Sequence, residues 1–372
     1  MKKIFVDMYL AFNIGDDLFL DIFAKKYPEH LITINYLGND YNKFLSKYTN
    51  VKKRTYSNVN RIMTRLKLSN EITNYRKIAQ EHDILIFLGG SIFREESYHT
   101  TLYQDRMNIV KEFKNLNKPI LVLGANFGPY CSNEFKSDYK TFFELCDDVC
   151  FRDLYSYALY KELSNVRYAP DIVFQMPIDK LKMIPQQLVA GYSIIDLRHK
   201  YNLTSYLDEY ITSTVKSIEF MVSKGYKCCL MSFCKKEGDL EIIKIILSKV
   251  KKNIINKIFI YDYRGDLIEA LQLIATFKIF VAARFHANIL ALLLGIGVLP
   301  IIYSDKTANL LKDLNLDELL VYMNNLEKQY NEEIINKVFN NKYDMESIIN
   351  HAENQFHKLD EVLSGKEFSK LV

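Results

Sequence analysis

Runs of four to eight residues rich in Ile, Val, Leu and Phe alternate along most of this chain with longer stretches whose apolar positions recur at helical spacing. Continuous apolar runs of that length suit strands buried on both faces, and the helical stretches between them suit crossovers, so the pattern predicts parallel sheets. In the first half the predicted strands lie at residues 3–10, 30–37, 83–90, 119–125, 147–153 and 166–170; in the second half they lie at 189–195, 227–233, 256–263, 277–283 and 299–304. Each half reads as an open α/β sheet. Between them MPIDKLKMIPQQ, residues 176–187, carries two prolines among polar residues and reads as a linker rather than a strand or helix. The expected division is an N-terminal α/β domain at 1–178 and a C-terminal α/β domain at 188–320. A helical tail at 321–372 would follow, free to pack back on the first domain.

Composition supports two cores: the chain has 372 residues, 49% of them hydrophobic and 13% aromatic. Lys and Arg number 49 against 45 Asp and Glu, a net +4 spread along the chain, which argues against a nucleic-acid partner. The densest basic stretch, KVKKNIINK at 249–257, reads as a solvated helix end, with attraction to anionic lipid as the alternative. The six cysteines include the adjacent Cys228 and Cys229 but no CxxC and no zinc-like spacing, so they are expected to be reduced and buried. MKKIFVDMYLAF begins like a signal peptide, yet Asp7 breaks its apolar stretch and no small-residue cleavage site follows. No apolar run approaches the roughly 18 residues of a membrane span. These features together predict a cytoplasmic protein.

In open parallel sheets, ligands bind beyond the carboxyl ends of strands, where loops and helix N-termini converge. Here those ends carry FNIGDD (12–17), GGSIFREE (89–96), GANFGPY (124–130), FRDLYS (151–156), APD (169–171), DLRHK (196–200), SFCKKEGD (232–239) and ARFH (283–286). Their glycines allow close backbone approach, but no GxGxxG or GxxxxGK[ST] is present, so nicotinamide and P-loop readings lose their main support. Neither HExxH nor an EF-hand loop occurs, and the paired aspartates at 16–17 and 147–148 suit caps, so no metal is expected. GIGVLP at 295–300 reads as an ordinary turn.

ARFH is the strongest local signal. If residues 284–286 are extended, Arg284 and His286 project to the same side, and the apolar helix that follows has no Ser, Thr or Asp ahead of it. Uncapped N–H groups beside a guanidinium and an imidazole would receive an anion. Equally open at this point is a buried salt bridge at Arg284 with a satisfied core histidine at His286. Arg198 follows the first strand of the same half and adds a second guanidinium, and burying arginine without an anion is costly. A small dianion would relieve that cost.

Taken in order, NIGD, FLGGS, GANFGPY, FRDLYS, APDIVF, an arginine after the first strand of the second half, and ARFHANILALLLG followed by PIIYSDK resemble the polysaccharide pyruvyl transferase family. The resemblance spans roughly residues 10–310. It implies two Rossmann-like domains facing a cleft, as in glycosyltransferases of the GT-B fold, with phosphoenolpyruvate as donor substrate and no cofactor. A pyruvyl group would pass to two sugar hydroxyls of a capsule, exopolysaccharide or cell-wall glycan or its precursor, forming a cyclic ketal. By the same resemblance Arg198, Arg284 and His286 hold the donor and form the catalytic set, joined by Asp239 and Lys306. Asn13, Gly15, Asp16, Gly90, Asn126, Arg152 and Asp171 would face the acceptor, with Asp16 or Asp171 as base and His286 as general acid or hydrogen-bond donor to the leaving phosphate. Two departures stand out: Gly297 replaces an expected proline, and Cys234 replaces a different polar residue. A cytoplasmic enzyme acting on a lipid-linked acceptor would sit peripherally at the inner face of the plasma membrane. The alternatives are a GT-B glycosyltransferase using a nucleotide sugar and a catalytically silent glycan-binding protein.

Overall fold

The computed structural model describes every residue except 56–61, 63–65, 67–72, 199, 201, 315, 317–319, 340, 342 and 366–372. Its described strands form two sheets, parallel at every pairing. The first contains β1 (Lys3–Asp7), β2 (Leu31–Ile34), β3 (Val51–Lys53), β4 (Ile84–Leu88), β5 (Ile120–Ala125), β6 (Asp148–Phe151) and β7 (Val166–Tyr168), in the order β3-β2-β1-β4-β5-β6-β7. The second contains β8 (Val189–Ile194), β9 (Lys227–Ser232), β10 (Ile258–Asp262), β11 (Ile279–Ala282), β12 (Gly297–Ile302) and β13 (Val321–Tyr322), in the order β10-β9-β8-β11-β12-β13. Both orders reverse at an inner pair of strands, β1/β4 and β8/β11, the switch points where doubly wound sheets open for ligands.

Hydrophobic continuity explains the central strands. Every residue of β4, β5, β8, β11 and β12 is buried, as expected of strands covered on both faces. The helices that matter below are α1 (Ile14–Lys26), α2 (His99–Asn115), α3 (Asn133–Leu145), α4 (Leu207–Ser223), α5 (Asp239–Lys249), α6 (Phe285–Leu293) and α7 (Asp305–Asp313). In α3, Ser132 caps by accepting from Phe135 N, and Phe135, Tyr139, Phe142 and Phe143 form the buried stripe at helical spacing. These rings meet Phe93, Phe127 and Tyr160 edge-on, giving the first unit an aromatic core. The second core is mostly aliphatic, with Ile218, Ile242, Ile243 and Ile246 laid against β8 and β9 residues.

Two compact units divide the chain: residues 1–10, 19–172 and 350–372 in the first, 11–18 and 173–349 in the second. The division therefore falls after Ile172, ahead of the segment read as a linker, and that segment includes a short helix at Asp179–Lys182. Within the second unit Asn341 exchanges hydrogen bonds with the Val298 backbone at 3.0 and 2.9 Å, so the chain beyond 321 stays with the second sheet up to residue 349. Residues 350–365 pack on the first unit. There Gln355, fully buried, accepts from Gly124 N at 2.8 Å and donates to Ala169 O at 2.6 Å. GIGVLP is a turn only through Ile296; Gly297 begins β12. All six cysteines are free, and Cys131 is exposed rather than buried. Among the described residues no helix is long and apolar enough to cross a membrane.

Candidate functional site

The richest polar cluster of the second unit lies at the carboxyl ends of its strands, around the β8/β11 switch point. Arg284 follows β11 and occupies the N-cap position of α6 in an extended conformation, its N–H donating to Ser193 Oγ at 3.0 Å. α6 begins at Phe285. Hence the premise of one extended ARFH face is corrected: Arg284 lies ahead of the helix and His286 in its first turn. The expected lack of a side-chain cap does hold.

The Arg284 guanidinium is buried and has anions of its own. It donates to Glu237 Oε2 at 2.7 Å and to Asp239 Oδ1, so, contrary to expectation, its burial needs no external anion. Asp239, fully buried at the start of α5, also accepts from Phe233 N and Cys234 N, each at 3.0 Å. Gly238, with φ +89°, makes the left-handed turn that lets residues 237 and 239 both reach Arg284. Burial works against the charge on Arg284, but the two carboxylates outweigh it and raise the pKa well above its ordinary value. Burial likewise pushes Glu237 up, and Arg284 with Lys200 overcomes this to hold the carboxyl far below its usual range.

Lys200 donates to Glu237 Oε2 at 3.1 Å from the loop after β8. Past the end of β12 come Tyr303 and Lys306, whose ammonium lies 6.0 Å from the Tyr303 ring and 5.9 Å from that of Phe285. Burial favours the neutral phenol, yet Lys306, Lys200 and Arg284 together lower its pKa. Three cations, Lys200, Arg284 and Lys306, thus stand with the carboxylates of Glu237 and Asp239. Buried α7 and α6 polar atoms at this edge, Thr307 Oγ1 and Arg284 Nε, lack a hydrogen-bond partner.

Residues 11–18 belong to this unit, which corrects the assignment of Asn13, Gly15 and Asp16 to the first domain. Asn13 donates to Glu237 at 3.4 Å and accepts from Gly15 N at 3.0 Å; Ile14 N donates to Phe233 O at 3.2 Å. Tyr263 donates to the buried Asp17 at 2.6 Å. A Cβ on Gly15 would stand 1.7 Å from His286 Nδ1, so only glycine fits beside the half-buried imidazole. Asp16 is half-buried in the same first turn of α1.

Arg198 does not pair with Glu237 or Asp239. It is exposed and folds back on Asp196, two residues earlier, with contacts of 2.5 to 3.0 Å to both carboxylate oxygens, and that carboxylate lies against Gly238. Lys200, two residues on, is the cation of this loop that reaches Glu237.

In the first unit the other predicted residues form a sealed network. Arg152 donates to Asp171 at 2.7 Å and to Asn126 at 2.6 Å, with Gly90 against its guanidinium and Ser91 donating to Asn126 at 3.0 Å. Asn126, Arg152 and Asp171 are each at most 3% exposed. Asp171 and Arg152 are thus held to each other as a buried ion pair, which differs from the open, acceptor-facing arrangement expected of them. The network instead fixes the loops after β4, β5 and β6.

Sequence reading does not single out Glu237 or Lys200. SFCKKEGD stands among the strand-end loops but yields only Asp239, and no signal short of the three-dimensional pairing marks Glu237; PIIYSDK carries Tyr303 within the family resemblance. Among the described residues no group of three or more His, Cys, Asp or Glu could hold a metal ion.

The fold is similar to the Anabaena protein HepE in complex with UDP and glucose, at 12% identity over 98% of this chain and 100% of that one, TM-score 0.55. It is also similar to the UDP-GlcNAc 2-epimerase of Methanocaldococcus jannaschii, at 10% identity over 98% and 99%, TM-score 0.59. These neighbours have GT-B-type folds of two parallel-sheet α/β domains, as this chain does. No curated protein matches the sequence. The family model described as "Polysaccharide pyruvyl transferase" matches residues 13–305, from the Asn13 that meets Glu237 to the start of α7. Spanning well over half of the chain, and Asn13, Lys200, Glu237, Asp239, Arg284, His286 and Tyr303 of the cluster, that match makes this protein a member of the polysaccharide pyruvyl transferase family, transferases acting on polysaccharide.

Proposed function

We propose that this chain moves the pyruvyl group of phosphoenolpyruvate onto two hydroxyls of a glycan or lipid-linked sugar, forming a cyclic ketal. The observation that carries this reading is the gathering of cations at the β8/β11 switch point: Lys200, Arg284 and Lys306 stand there beside an imidazole. A donor bearing both carboxylate and phosphate suits such a group of cations. Arg284, locked by two carboxylates, is preorganised and undergoes no reorganisation when donor arrives.

Chemically, the methylene carbon of the enol ester gains a proton, two C–O bonds form to the acceptor oxygens, and the bond to the phosphate oxygen breaks. The two hydroxyl protons balance the new methyl hydrogen and the released hydrogen phosphate. His286 is the group suited to carry a proton, because imidazole titrates near neutrality and Gly15 fixes its position. Tyr303, with its lowered phenol, is a second proton-bearing group beside Lys306. Arg198 retains a donor role only by leaving Asp196.

Calorimetry with phosphoenolpyruvate against a panel of nucleotide sugars tests the donor. Binding of phosphoenolpyruvate, with phosphate release upon adding a glycan acceptor, is the expected result. Tight binding of a nucleotide sugar and none of phosphoenolpyruvate would replace this reading with glycosyl transfer.

A further inference from the structure

At the opposite end of the second sheet a different surface combines positive charge with uncovered apolar side chains. Leu188 precedes β8, Lys227 begins β9 and Lys257 precedes β10. The pairings Val189 with Lys227 and Ile258 with Cys228 set these starts side by side, and Lys227 N donates to Leu188 O at 2.9 Å. Leu188 is 60% exposed and Ile255 43%, and on the edge strand β10 the consecutive Phe259 and Ile260, 37% and 42% exposed, stand on its two opposite faces. Around them Lys224, Lys227, Lys249, Lys252 and Lys257 are all exposed. Lys251 is committed to Glu219 at 2.7 Å.

We propose that this amino-end rim is a docking surface for an anionic lipid bilayer. Apolar side chains enter the interfacial region while lysines meet lipid phosphates, and the two attractions add. Clustered apolar exposure on a soluble domain needs such a partner. Charge selects among partners. β10 is an edge strand, open to pairing with a second copy, but a two-fold contact would lay this lysine-rich patch on itself, and lysine is the residue that blocks edge pairing. An anionic bilayer takes the apolar groups and the charge together. Docked this way, the carboxyl ends that carry Arg284 would point away from the lipid by the length of a strand, about 20 Å. The inference does not rest on the donor assigned above.

The test is co-sedimentation of the full chain with vesicles of neutral phosphatidylcholine, or with roughly one third phosphatidylglycerol added. The expected result is binding to the anionic vesicles alone, weakened by salt, and reduced about tenfold or more in Lys227→Glu/Lys252→Glu/Lys257→Glu, with the melting curve unchanged. Should the triple variant misfold, Ile255→Asp alone, at an exposed turn, is expected to lower binding too. Equal binding to neutral vesicles, no binding, or unaltered binding by the folded variants overturns the proposal. So does a wild-type dimer in light scattering that the charge reversals dissociate, which would assign the rim to a second copy.

Discussion

Each unit places a buried arginine beside an aspartate at the carboxyl ends of a parallel sheet, and the two arrangements serve different ends. Arg152 in the first unit meets one carboxylate, Asp171, and one amide, Asn126, all of them cut off from water. Arg284 in the second meets two carboxylates with Lys200 and Lys306 alongside, and Glu237, His286, Tyr303 and Lys306 are all half-buried rather than sealed. A closed charge pair fixes loops; a partly open one can receive a ligand. The same residue types at the carboxyl ends of the two sheets therefore do not imply the same role, and exposure together with the neighbouring charges decides between them.

The largest effect should come from breaking the sealed pair. Arg152→Ala strands the Asp171 carboxylate in a dry environment and is expected to cost about 3–5 kcal/mol, a fall in melting temperature on the order of 10 °C. Thermal melts check this, and phosphoenolpyruvate should not shift the variant's melt more than the wild type's. A variant as stable as wild type would mean that Asp171 is not held by Arg152 alone.

Arg284→Lys probes the open cluster. Lysine keeps the charge but loses the fork that spans Glu237 and Asp239, so kcat/KM for phosphate release should fall roughly 30- to 1000-fold, or about 2–4 kcal/mol. Unchanged turnover with phosphoenolpyruvate would remove Arg284 from the donor site. Next in size, Gly15→Ala drives a methyl group into His286 and is expected to cost about 1–3 kcal/mol of stability, with kcat lowered up to about 100-fold through displacement of the ring. Melts and steady-state kinetics together separate the two losses.

Legibility in the sequence followed the range of the interaction. Central strands such as β4 and β12 announced themselves because burial on both faces demands an unbroken apolar run. The edge strands β3 (VKK) and β13 (VY) carry no such run and exist only by pairing with β2 and β12. Arg284 and His286 were visible as polar residues interrupting apolar sequence. Glu237 was not, since KKEGD has the composition of any solvated loop and acquires meaning only through the Gly238 turn. Asn13 and Gly15 were assigned to the wrong unit because they follow β1 directly. Their partners, Glu237 and His286, lie more than two hundred positions away, a separation that no local pattern encodes.

Glu237→Gln gives the smallest effect and the sharpest one. Its folded carboxyl is depressed below the ordinary 4.5, so it contributes stability that is fully present above that value and is lost as pH falls from there toward the folded pKa. Glutamine keeps the shape but not the charge. The variant should be less stable than wild type at neutral pH, by on the order of 1 kcal/mol, and the gap should close as pH falls below 4.5. Removing this carboxylate also makes the cluster more positive by one charge, so phosphoenolpyruvate affinity should rise while stability falls. Opposite movements of the two quantities, read by urea titration over pH and by calorimetry, distinguish an anion site from a structural ion pair. In a sealed pair like Arg152 with Asp171, loss of the acid lowers stability and creates no affinity at all.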